Sequence, residues 1–90
     1  MVWQIEFDPA AVKELAKLDK QVARRIVQFL RERIAPLGDP RSVGEPLHGD
    51  QLGAFWKYRL GDHRVVAEIS DRRIVIIAVR VGHRHEVYRK

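Results

Sequence analysis

Ninety residues with 46% hydrophobic content and no cysteine make one domain with a single modest core. They exclude a second module, a disulfide framework and a thiolate metal site. The net charge of +5 is localised, because residues 1–54 carry eight Lys/Arg against eight Asp/Glu, while residues 55–90 carry nine against four.

Such an excess points to a polyanion, most simply nucleic acid, with a merely soluble basic surface as the plain alternative. The opening stretch MVWQIEFDPA has neither the basic n-region nor the long apolar h-region of a secretory signal. No apolar run is long enough to span a bilayer. The expectation is a cytoplasmic chain with no membrane contact.

In chain order, VWQIEF alternates, with Trp3, Ile5 and Phe7 on one side and Gln4 and Glu6 on the other, as in a half-buried strand. Asp8 suits a helix N-cap and Pro9 the first helical position. Val12, Leu15, Ala16 and Leu18 form the apolar stripe of that helix. Asp19 caps a second helix whose stripe is Val22, Ile26, Phe29, Leu30 and Ile34, and so tight a connection predicts an antiparallel helical hairpin. Residues 35–53, with three prolines and four glycines, read as a long irregular loop of a kind that is often functional.

Three strands follow. AFWKYRL and HRVVAEIS flank Gly61-Asp62, a two-residue turn suited to type II′. RIVIIAVRV lies beyond a short turn around Asp71 and Arg72. The order of elements predicts an α+β fold: an N-terminal strand, a helical hairpin and a three-stranded antiparallel meander, with the helices on one face of a small antiparallel sheet.

With the two-residue turn, Leu60 faces His63, Tyr58 faces Val65 and Trp56 faces Ala67. These share an apolar face with Ile69 that is expected to meet the helices. The opposite face carries Lys57, Arg59, Arg64, Val66 and Glu68, with Arg59 directly across from Arg64. Facing like charges destabilise an antiparallel pair. A solvated edge-protecting face is the bland reading. A shared phosphate relieves the repulsion and suits the bidentate geometry of arginine.

The parity beyond the next turn stays open, since a two-residue loop pairs Ser70 with Arg73 and a three-residue loop inverts all that follows. IVIIAV is apolar at both parities, which predicts a central strand covered on both faces, one by the helices and the other by a partner or by nothing. The strand then runs into VGHRHEVYRK. His83, Arg84, His85, Glu86 and Tyr88 are thus brought to the end of the same sheet, beside Lys57, Arg59 and Arg64.

The stretches LHGDQLGAFWKYRLGDHRVVAEI and VRVGHRHEVYRK, with FDPAAVKELAKL for the first helix, resemble the RelE/ParE superfamily of bacterial and archaeal toxins, on the RelE side. The likeness rests on L-x-G before the first meander strand, the basic strand, G-D-x-R at the hairpin and V-G-H-R-x-x-V-Y at the end. It covers nearly the whole chain.

The resemblance implies the fold above and a metal-independent mRNA endonuclease that works in the ribosomal A site. It also implies a cognate antitoxin that holds the toxin inactive, and operator DNA as a partner of the toxin–antitoxin complex alone. Carried over by motif, the site residues are Lys57, Arg59, Arg64, Arg84 and Tyr88. The chain departs from the best-known RelE pattern in a shorter spacing from Arg84 to Tyr88 and in ending two residues after the tyrosine.

Cleavage of RNA by its own 2′-hydroxyl needs a base, an acid and cations for the phosphorane. Lys57, Arg59 and Arg64 suit the last task. Tyr88 is the candidate base, its pKa lowered by surrounding cations, with His83 or His85 as further proton carriers near neutral pH. Arg84 stabilises the leaving group. His83-x-His85 with Glu86 lacks a third strong ligand for a metal, so neither metal nor cofactor is expected. Two alternatives stand beside this reading: a ParE-like, non-nuclease toxin that inhibits DNA gyrase, and a plain nucleic-acid-binding module.

Overall fold

The computed structural model describes residues 2–47 and 55–83. Strand β1 (Gln4–Phe7) leads into helix α1 (Pro9–Lys17) and helix α2 (Lys20–Phe29). A single π-helical turn over Leu30–Ile34 extends α2, closed by the Ala35 N–H donating to the Leu30 carbonyl at 2.8 Å. A 3₁₀ turn (Pro40–Val43) and a two-residue strand β2 (Glu45–Pro46) precede the meander β3 (Phe55–Leu60), β4 (His63–Ser70) and β5 (Val75–His83). The α+β fold expected from the sequence holds, with both helices on one face. The sheet is larger than expected, and mixed: its order is β1-β5-β4-β3-β2, and β1 pairs parallel to β5.

The two caps form as read. The Asp8 carboxylate accepts from the Ala10 N–H at 3.2 Å and the Asp19 carboxylate from the Gln21 N–H at 2.8 Å. On α2 the predicted stripe is inside, with Ile26, Leu30 and Ile34 fully buried and Val22 and Phe29 packed against them. On α1 the stripe is rotated. Ala11 is fully buried, Leu15 and Leu18 are half-buried, and Val12 is 52% exposed with Ala16 also outside. The small side chain of Ala11 lets the helix approach the sheet closely, so Ala11, Leu15 and Leu18 face inward at i, i+4 and i+7 spacing.

β3 and β4 pair in the predicted register: Leu60↔His63, Arg59↔Arg64, Tyr58↔Val65 and Trp56↔Ala67. Gly61 sits at φ +61° while Asp62 stays at negative φ, which fits the II′ turn. The core joins Tyr58, Val65, Ala67, Ile69, Ile76, Ala78 and Val81 of the sheet to the buried helix residues and Trp3. β5 is central, between β1 and β4, and residues of both parities, Val75 and Ile76 among them, are buried.

The second turn differs from both expected lengths. Residues 71–74 form a four-residue loop, Ser70 pairs with Val75, and Ile74 takes a left-handed φ of 55°. That conformation is unusual for a β-branched residue. It is fixed here from two sides: the Ile74 carbonyl accepts the Gln4 N–H at 3.0 Å and its side chain packs on the core.

The proline- and glycine-rich segment is anchored to the sheet rather than irregular throughout its described part. The Tyr58 hydroxyl donates to the Pro40 carbonyl at 2.7 Å. Arg41 meets both oxygens of Asp71, at 3.1 and 2.7 Å, and its guanidinium lies 6.0 Å from the Trp56 ring. Gly44 is needed for this approach, because a Cβ there would lie 2.8 Å from Tyr58 Cε1. The rest of the segment lies outside the described residues.

Candidate functional site

β3 and β4 turn one set of side chains to the core and the other away from the helices. The outward set holds Lys57, Arg59, Arg64, Val66 and Glu68, with Arg59 and Arg64 directly paired. The three cations there differ in environment. Arg59 is exposed and makes no hydrogen bond or ion pair among the described residues. Lys57 is half-buried, with Nζ 3.7 Å from Glu45 of β2.

Arg64, expected on an open face, is only 6% exposed. Its Nη1 donates to the carbonyls of Gly61 and His63, both at 2.9 Å. Both bonds are to neutral carbonyls, and no carboxylate pairs with Arg64 among the described residues. A buried cation held by two neutral carbonyls is oriented before any anion arrives. The residue across from it on β5 is Gly82, which has no side chain to compete for the space.

Of the expected proton carriers, His83 lies among the described residues. His83 is the last described residue of β5 and pairs with His63, the rings edge to face with centroids 6.1 Å apart. Their register places them on the face shared with Leu60 and Tyr58, opposite the arginines. His63, read from the sequence only as a core-face position, lines a groove of about 280 Å³ with Val22, Arg25, Leu60 and Asp62. Arg84, His85 and Tyr88 lie outside the described residues.

Of the two tyrosines in the chain, Tyr58 is 1% exposed, and burial pushes its hydroxyl up to about 12. Such a group is a structural donor, not a base. Trp56 packs against the core beneath Arg41, as the parity reading expected. Among the described residues no group of three or more His, Asp or Glu is arranged to hold a metal ion, and no helix is long and apolar enough to cross a membrane.

Sequence reasoning missed Glu14. Its carboxylate contacts Arg80 Nε through both oxygens at 3.2 Å and accepts the Val81 N–H at 2.9 Å. The only signal for it was the single acid on the inward side of α1, facing a strand that carries one arginine among aliphatics.

Known proteins share this fold. Residues 5–88 match the family model described as the ParE toxin of the type II toxin–antitoxin system parDE. The chain is 29% identical over 90 residues to Toxin RelG of Mycobacterium tuberculosis, covering all of both chains. It is 30% identical over 90 residues to the mRNA interferase toxin RelE of Escherichia coli, covering 98% of this chain and 92% of that one.

Among solved structures, it superposes on a chain of the toxin–antitoxin complex RelBE2 from M. tuberculosis with a TM-score of 0.84 and 26% identity, covering 96% and 95% of the two chains. It superposes on E. coli RelE bound to a peptide of the antitoxin RelB with a TM-score of 0.73 and 27% identity, covering 98% and 92%. With a family model matched over nearly its full length and these relatives on the same fold, the chain belongs to the RelE/ParE superfamily of type II toxin–antitoxin toxins.

Proposed function

We propose that this toxin is an endoribonuclease that cuts mRNA on the ribosome and so inhibits translation. The observation that carries the reading is the pairing of Arg59 with Arg64 on the face turned away from the helices, where Arg64 is buried, oriented by two carbonyls and unpaired with any acid among the described residues. Its likeness to an E. coli mRNA interferase supports the same reading.

In the proposed reaction a base takes the proton of a 2′-hydroxyl and the 2′-oxygen bonds to phosphorus. The bond from phosphorus to the 5′-oxygen then breaks, and an acid protonates that oxygen. The products are a 2′,3′-cyclic phosphate and a 5′-hydroxyl. Lys57, Arg59 and Arg64 stabilise the charge that builds on the phosphorane. Tyr88 is the proposed base and Arg84 stabilises the leaving oxygen. With Tyr58 locked in the core, Tyr88 is the remaining tyrosine for the task. His83 stands on the opposite face, which favours the tyrosine over this histidine; His85 remains the second candidate.

The proposed partners are a cognate antitoxin, as in the RelB-bound relatives, the ribosome with mRNA in its A site, and operator DNA for the toxin–antitoxin complex. A second reading is favoured by one observation, the match to a family model named for ParE: a toxin that inhibits DNA gyrase without cutting RNA.

One comparison tests both. The same transcript is offered free and on ribosomes with a vacant A site, and cut sites are mapped by primer extension. The orientation supplied by the ribosome is worth several kcal/mol, about 7 or more in favourable intramolecular cases. Ready cutting on the ribosome and negligible cutting of free RNA are expected. Equal cutting of both would remove ribosome dependence, and no cutting with gyrase inhibited would favour the ParE-like reading.

A further inference from the structure

The β4–β5 ladder shifts register once, between Val66 and Ala67, which pair with Arg80 and Ala78, so that Val79 of β5 is an extra residue. Such a bulge inverts the parity of everything beyond it. With it, Val81 faces Val65 in the core, 1% exposed, and Gly82 faces Arg64. Without it, Arg80 would fall on the core face against Val65, and the branched side chain of Val81 would stand against the Arg64 guanidinium. The extra residue also breaks the regular ladder next to Val81.

The Val81 N–H goes to Glu14 Oε1 at 2.9 Å, and both Glu14 oxygens hold Arg80 Nε at 3.2 Å. Glu14 is thus a helix residue bonded to two consecutive residues at the bulge, from the layer opposite the cationic face. Its side chain is 25% exposed and that of Arg80 38%, so neither bond is a freely solvated contact.

We propose that Glu14 is a positioning residue: its carboxylate holds the β5 bulge, and the bulge sets which β5 residue stands beside Arg64. The activity arm of its test rests on the endonuclease reading; the structural arm does not.

The full chain is compared with Glu14→Ala, Glu14→Gln and a deletion of Val79. All are checked for fold by circular dichroism. Glu14→Ala is expected to speed Val81 amide exchange on the order of tenfold and to move the Arg64 side-chain NMR resonance. On ribosome-bound mRNA it should lower kcat on the order of ten- to a hundredfold with KM nearly unchanged. Glu14→Gln keeps an acceptor for the Val81 N–H and should recover much of both. Deleting Val79 removes the extra residue while keeping Val81 against Val65 and Gly82 against Arg64, so a folded product with near-parental kcat is expected, and adding Glu14→Ala to it should then cost little.

Unchanged Val81 exchange in Glu14→Ala would overturn the claim that the carboxylate holds the bulge. Faster exchange with parental kcat would overturn the positioning role. If the parent cuts no RNA, the endonuclease reading falls by itself, and the Val81 exchange and Arg64 resonance decide the claim: both moving supports it, and either unmoved overturns it.

Discussion

Arg59 and Arg64 stand directly opposite each other on β3 and β4, one exposed and the other 6% exposed. The difference in burial separates what each contributes. Arg59→Ala removes a facing like charge and strips no bond among the described residues, so stability should hold or rise by about 0.2–1 kcal/mol. Arg64→Ala empties a packed position and frees the Gly61 and His63 carbonyls. It should lower stability by about 1–3 kcal/mol. Both should slow cleavage. Urea unfolding set beside cleavage rates checks this, and a loss of stability in Arg59→Ala equal to that in Arg64→Ala would count against it.

Each of the two substitutions should also weaken RNA contact in a salt-dependent way. Every phosphate neutralised adds about −0.7 to the slope of log affinity against log salt on single strands. Binding of a short single-stranded RNA across a salt series reads this slope for parent and variants. Tyr88→Phe, which removes only a hydroxyl, should leave the slope alone while slowing cleavage. Cleavage at the parental rate in Tyr88→Phe would move the base assignment to His85.

Expressed alone in a bacterium, the chain should arrest growth, and co-expression of the small protein encoded beside its gene should restore it. Normal growth at a verified high level of folded protein would argue against toxicity. Arg59→Ala serves as the companion strain, because it is expected to stay folded while losing toxicity.

Tyr58 should titrate late. Tyr58 is pushed up to about 12 by burial, while an unfolded tyrosine ionises near 10. The folded state therefore keeps a proton that the unfolded state releases between those values. The stability tied to Tyr58 is fully present below pH ~10 and falls away as pH rises toward ~12. Ultraviolet absorbance should show one phenol ionising only as the fold is lost. Tyr58→Phe should remove the late step and, by leaving the Pro40 carbonyl unpaired, cost about 1–3 kcal/mol.

The clasp between Arg41 and Asp71 offers a control. The Arg41 guanidinium holds the Asp71 carboxyl below the usual carboxylate range, so its contribution is present above pH ~4 and is lost as pH falls through the lowered pKa. Asp71 is solvent-exposed, so the effect of Asp71→Asn on stability should be slight, and cleavage should not change. A loss of activity in that variant would place the turn after β4 in the site.

Local chemistry was enough to determine much of this protein. Asp8 and Asp19 announced the two helices because a short carboxylate at the N-cap competes well for free N–H groups. Gly61-Asp62 fixed the β3–β4 register because a two-residue turn allows only one pairing, and that pairing set Arg59 against Arg64. Three features were settled only by the tertiary structure. The parallel pairing of β1 with β5 joins segments some seventy residues apart, and no local pattern encodes such a partner. The burial of Arg64 depends on the glycine across from it, a neighbour that becomes known only with the β5 register. That register turns on the bulge at Val79 and Arg80, and a strand apolar at both parities gives no sign of where its alternation slips. Glu14 supplies the missing bond from another layer, and a contact between a helix and a strand depends on how the layers pack rather than on spacing along the chain.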